Sequence, residues 1–166
     1  GRRTRAPLVG ALTCALPAAG AVTCPAERID RRASVAHVND GDTFRLAGGE
    51  SVRVVGINAP EIGRDGEPDQ PGARAARRAL QDWLDAADGR VHLRLAREPR
   101  DDYGRLLAHA YLPDGRSIAR LLLERGHALQ VAIPPNTRHW RCRARAERAA
   151  READRGVWQA PRFSGM

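Results

Sequence analysis

Three short stretches hold residue types that could work on a phosphate ester. Asp40-Gly41-Asp42-Thr43 sets two carboxylates about a glycine, as cation-binding loops and tight hairpin turns both do. Arg53-Val54-Val55-Gly56-Ile57-Asn58-Ala59-Pro60-Glu61 carries a guanidinium, an amide oxygen and, behind a proline that fixes the backbone, a carboxylate at the end of an extended run. Asp101-Asp102-Tyr103-Gly104-Arg105 places a second guanidinium on a glycine turn beside a tyrosine. Two arginines can stabilise charge on phosphoryl oxygens, and a carboxylate can orient or deprotonate a water. Taken singly, each stretch also reads as ordinary structure: a hairpin turn, the wet face of a strand, a polar turn.

Other chemistries lack their residues. Phe44 stands where a calcium EF-hand needs an oxygen ligand, and no glutamate follows at the right spacing. There is no Cys-x-x-Cys, so a structural zinc site has no support. Of three cysteines, Cys14 lies in the first apolar stretch, which leaves Cys24 and Cys142 as either a disulfide or two free thiols. All 28 basic residues are arginine, and the net charge of +8 is compatible with a polyanionic partner without requiring one.

The elements that must position these groups follow from periodicity. Ser34–Val38, Thr43–Leu46 and Ser51–Ile57 read as three strands of an antiparallel meander, with Asn39-Asp40-Gly41 and Gly48-Gly49 turning the chain. Glu61–Gly72 reads as a loop, and Ala73–Ala87 as a helix with Ala76, Leu80, Trp83, Leu84 and Ala87 on one face. Arg90–Ala96 and Arg105–Leu112 read as strands separated by a polar turn from Arg97 to Gly104. Ser117 is expected to cap a short helix stopped by Gly126. His127–Ile133 reads as a short extended piece, and an arginine-rich helix is expected from about Thr137 to Arg155, its arginines, Arg143 among them, forming a solvated face. This order predicts an α+β fold: a five-stranded OB-type barrel with about three flanking helices.

The chain's start reads as a targeting segment: Arg2, Arg3 and Arg5, an apolar run from Ala6 to Ala18, then Ala19-Gly20-Ala21 as a small-x-small cleavage pattern. We therefore expect a signal peptide over 1–21, an N-terminal arm over 22–33, a catalytic domain over 34–159 and a tail over 160–166. The corresponding localisation is secreted or periplasmic, as a monomer without lasting membrane association.

Together and in order, the three stretches and the terminal Gly156-Val157-Trp158 resemble the staphylococcal nuclease (thermonuclease) family, over about Ser34 to Trp158. The resemblance implies calcium-dependent hydrolysis of DNA and RNA phosphodiesters, leaving 3′-phosphates. It maps the metal site to Asp42, Asn58 and the Ala59 carbonyl, catalysis to Arg53, Glu61 and Arg105, and substrate contact to Tyr103. Asn58 stands where many members carry aspartate, so a weaker ion site is expected. The aromatic pair that members often place before the last helix is replaced by Val131-Ala132-Ile133-Pro134-Pro135. The competing reading is a module that binds single-stranded nucleic acid on the same barrel without cutting it.

Overall fold

A computed structural model describes Cys24, Ala26 and residues 28–159. The expected signal peptide and C-terminal tail lie outside the described residues. Strands β1 (Arg31–Asp40), β2 (Thr43–Leu46), β3 (Ser51–Val54), β5 (Arg90–Arg100) and β6 (Leu106–Tyr111) close a barrel in the order β1-β2-β3-β6-β5. All neighbouring pairs are antiparallel except β3 with β6, which run parallel. Inward residues such as Phe44, Val52, Val54, Val91, Leu93 and Ala108 fill the interior. The expected fold class is the one observed.

Helix α1 (Ala73–Ala86) turns Ala73, Ala76, Leu80 and Leu84 onto the barrel, the period its sequence announced. Helix α2 (Ile118–Glu124) begins where the Ser117 hydroxyl accepts a hydrogen bond from the Arg120 amide at 3.2 Å. Helix α3 (Trp140–Glu152) buries Arg143, Ala146 and Ala150, and a short 3-10 turn (Gly156–Gln159) follows it.

Several boundaries move, each for a local reason. The first strand begins at Arg31, because Arg31–Ser34 pair with Leu93–Arg90 and seal the barrel. Ser51–Ile57 is not one strand. Gly56 takes φ +85°, breaks the run after β3, and sends Ile57–Asn58 (β4) out of the barrel to pair with Leu129–Gln130 (β7). Strand β5 continues to Arg100, which pairs with Leu106 across an irregular register, so the polar turn shrinks to Asp101–Arg105. The last helix starts at Trp140: Thr137 is held in a turn by Pro135, and His139 caps the helix in a left-handed conformation. Finally, Arg143 does not belong to the solvated face; it is buried to 2% exposure.

Candidate active site

The first carboxylates sit at the β1–β2 hairpin, where Asp40 pairs with Thr43 and only Gly41 and Asp42 turn the chain. Gly41 is packed so closely that a Cβ there would meet Ala76 of α1 at 2.8 Å and Ala59 at 2.9 Å. The helix thus presses the hairpin onto the start of the 59–72 loop. Asp42 is buried as a result. Its Oδ2 accepts from the Ala59 amide at 2.7 Å and its Oδ1 from the Thr43 hydroxyl at 2.9 Å. Asp40 is buried beside it, and burial, then repulsion from Asp42, push the Asp40 carboxyl up to about 6.

Arg53 projects from β3 and folds back over the turn that follows. Its Nη1 donates to the carbonyls of Val54 at 2.5 Å and Ile57 at 2.8 Å. Its Nη2 lies 3.3 Å from both the Asp42 carboxylate and the Asn58 Oδ1. One guanidinium therefore ties together the hairpin acid, the amide on β4 and the backbone between them. Ala59 is buried, and Pro60 then leads to Glu61, which is exposed. The Glu61 main chain is pinned by Gln70, whose side-chain oxygen accepts from the Glu61 amide and whose own amide donates to the Glu61 carbonyl, both at 2.9 Å.

Arg105 is set by its turn. Asp101 accepts from the Arg105 amide at 2.9 Å and from its Nε at 2.7 Å, while Gly104 at φ +76° closes the loop. Burial works to raise the Asp101 pKa, but the bonds from Arg105, joined by the Tyr103 amide, override it and hold the carboxyl below its usual range. The Arg105 guanidinium lies 5.5 Å from the centre of the Tyr103 ring, which is 86% exposed.

Arg53, Tyr103 and Arg105 line one cleft of about 440 Å³, walled on its far side by apolar Val131, Ile133 and Pro134. Asp42 and Asn58 meet this cleft through Arg53; Glu61 is not among its lining residues. A second groove of about 450 Å³, lined by Arg31, Arg32 and Arg90, lies at the opposite ends of β1 and β5 and contains none of these groups. Residue type and spacing point to Arg53, Asp42, Asn58 and Arg105 individually, but not to the contacts that join Arg53 to Asp42 and Asn58 or Arg105 to Asp101. Asp101 was visible only as part of a motif, and Gln70 and Arg143 gave no local signal, since their contacts come from elsewhere in the chain.

The barrel thus brings two arginines into one cleft with paired acids at its edge, and sequence comparison gives the chain a family. The staphylococcal nuclease homologue family matches residues 51–160. A thermonuclease of Staphylococcus intermedius is 33% identical over 128 residues, covering 75% of this chain and 74% of that protein. Two proteins of Bacillus subtilis are also similar. One, a prophage-derived endonuclease, is 29% identical over 72% of this chain and 41% of its own length; the other, the endonuclease YncB, is 30% identical over 60% and 48%. The chain belongs to the staphylococcal nuclease family, and with it to the nucleic-acid-hydrolysing enzymes.

Proposed function

We propose that this protein is an exported, calcium-dependent nuclease that cuts DNA and RNA phosphodiesters and leaves 3′-phosphates, with Arg53, Glu61 and Arg105 as its catalytic groups. The observation that carries the reading is the position of Arg53: within 3.3 Å of Asp42 and Asn58, and in the same cleft as Arg105.

The ion's donor set is Asp42, Asn58 Oδ1 and the Ala59 carbonyl. The chemistry fits a hard cation: all donors are oxygens, and two buried carboxylates, Asp40 and Asp42, lie side by side next to Arg53. Among the described residues no three His, Cys, Asp or Glu side chains converge, so the site depends on the amide and the carbonyl to complete it. A divalent cation held there supplies electrostatic stabilisation of the charge that develops on the phosphoryl oxygens.

The protein's own groups do the rest. Arg53 and Arg105 bind the phosphate in the cleft and stabilise the charge that develops on its oxygens, Arg105 from a direction that its bond to Asp101 already fixes. Arg53 gains freedom for this by exchanging its contact with Asp42 for one with phosphate. Glu61, exposed beyond Pro60, orients or deprotonates the attacking water. Tyr103 offers an exposed ring for a base, worth roughly 1–3 kcal/mol per stacked base. Export is supported by the Cys24–Cys142 disulfide, since such bonds persist in oxidising compartments. Among the described residues no helix is long and apolar enough to cross a membrane.

Plasmid and single-stranded DNA incubated with the protein at millimolar calcium test the assignment, alongside Glu61→Gln. The expected outcome is cleavage by the unmodified protein and a loss of about 10²–10⁴-fold in the variant. Undiminished cutting by Glu61→Gln would remove Glu61 from the mechanism. Retention of single-stranded DNA without any cutting would favour a binding module, for which the exposed Tyr103 and Ile133 (68% exposed) at the cleft would serve as a stacking platform.

A further inference from the structure

A phosphodiester within a chain carries a nucleoside on each side, and Tyr103 offers a surface to one of them. A third groove, of about 280 Å³, starts at Asn58 and is lined by none of Arg53, Tyr103 and Arg105. Its walls include Pro60, Pro71, Leu129 and Val157, and Gln70 supplies a polar edge. A mostly apolar concavity with a few polar groups is the usual form of a site for a small ligand.

Three contacts tie this groove to the catalytic groups. Leu129 of β7 is the cross-strand partner of Asn58 on β4, so the two side chains stand on one face of that ribbon, their Cβ atoms about 5 Å apart. Asn58 turns its Oδ1 to Arg53 at 3.3 Å, whereas Leu129, 36% exposed, offers an apolar surface to solvent. Pro60 directly precedes Glu61, and Gln70 accepts from the Glu61 amide at 2.9 Å. Glu61 is thus held in place by two residues of the groove wall. At the start of α1, a Cβ on Gly72 would lie 3.4 Å from Val157 Cγ1 and 3.6 Å from Pro60 Cγ, in contact with both walls. The glycine leaves the gap between them unfilled.

We propose that this groove is a second base subsite: it takes the nucleobase on the side of the scissile phosphate opposite the one that meets Tyr103. The inference rests on the nuclease reading and adds to it the route of the strand, from Tyr103 across Arg53 and past Asn58 onto Leu129. The flat face of a base suits these walls, since proline, leucine and valine offer apolar contact and no charge. Such a contact is made equally in the bound and reacting states, so it acts on KM more than on kcat.

The test uses a single-stranded tetranucleotide whose central linkage alone is a phosphodiester, the others being uncharged methylphosphonates. An abasic residue is placed on one side or the other of the central linkage. For the unmodified protein, removing either base is expected to raise KM about 10-fold. Leu129→Gln loses the response at one position and keeps it at the other; Tyr103→Ala shows the reverse. Leu129→Gln responding at both positions, or losing the same position as Tyr103→Ala, would overturn the proposal. Pro71→Ser, at an exposed turn position, takes the place of Leu129→Gln if that variant does not fold. No cutting of any of these substrates by the unmodified protein at millimolar calcium counts against the nuclease reading, and the groove is then decided by binding. With 2-aminopurine at each position in turn, quenching on binding is expected to fall in Leu129→Gln at one position; a fall at both or at neither would overturn the subsite.

Discussion

Arg105 reaches the cleft only because Asp101 holds both its amide and its Nε, a short carboxylate clamp across a glycine turn. The clamp fixes direction more than energy, for the pair is partly solvent-exposed and such pairs contribute little to stability. Asp101→Asn keeps the turn's size but removes the charge that orients the guanidinium. We expect it to lower kcat/KM for DNA about 10-fold or more while moving Tm by no more than a degree or two, measured by steady-state cleavage and calorimetry. The motif from Asp101 to Arg105 was legible as a site because its partners are four residues apart. Arg53 was legible by type but not by partner. Asp42 is eleven residues away from it along the chain, and their contact exists only because β2 and β3 pair Thr43 with Arg53.

At the scale of elements, the site is a turn gripped from two sides. Arg53 bonds to the carbonyls that flank Gly56, and Arg143 packs against Gly56 itself. The glycine is required twice, once for φ +85° and once because a methyl group would displace the guanidinium behind it. Gly56→Ala is therefore expected to cost roughly 1–3 kcal/mol in stability and to reduce cleavage beyond what the lost stability explains. Denaturant unfolding and activity measured well below Tm separate the two effects. The alternation through Ser51–Ile57 could not foretell this break, because Ile57 is as apolar and buried in its short pairing with β7 as it would be in a continuous strand. The helices were easier to read, since Leu80, Leu84, Leu121 and Leu122 keep helical spacing and meet the core directly. Arg143 defeated that logic. An arginine among arginines on a polar helix gives no sign that it faces inward.

The whole molecule is tied by the Cys24–Cys142 bond, which joins the segment before β1 to the first turn of α3 across 118 residues. In the chain-entropy picture a loop of that size contributes about 4–5 kcal/mol. Cys24→Ser/Cys142→Ser is accordingly expected to lower Tm by about 10 °C or more, read by circular dichroism, and full-length protein treated with reductant should behave alike. From sequence the two cysteines stayed ambiguous between a bridge and two thiols, since nothing local to either one fixes their distance. The β1–β2–β3 meander and the number of helices, by contrast, followed from turns and periodicity, because short connections leave neighbouring strands little choice of partner; the parallel β3–β6 pairing and the β1–β5 closure join strands far apart in the chain and gave no such signal.

The proposed metal seat carries an amide at Asn58 where a carboxylate would add one negative charge. Cleavage rate as a function of calcium concentration, for the unmodified protein and for Asn58→Asp, tests it most directly. The predicted result is half-activation at roughly 10⁻⁴–10⁻³ M for the natural chain and at clearly lower calcium for Asn58→Asp, with no cleavage by either in a calcium chelator. Full activity in the chelator, or identical calcium curves for the two proteins, would contradict it.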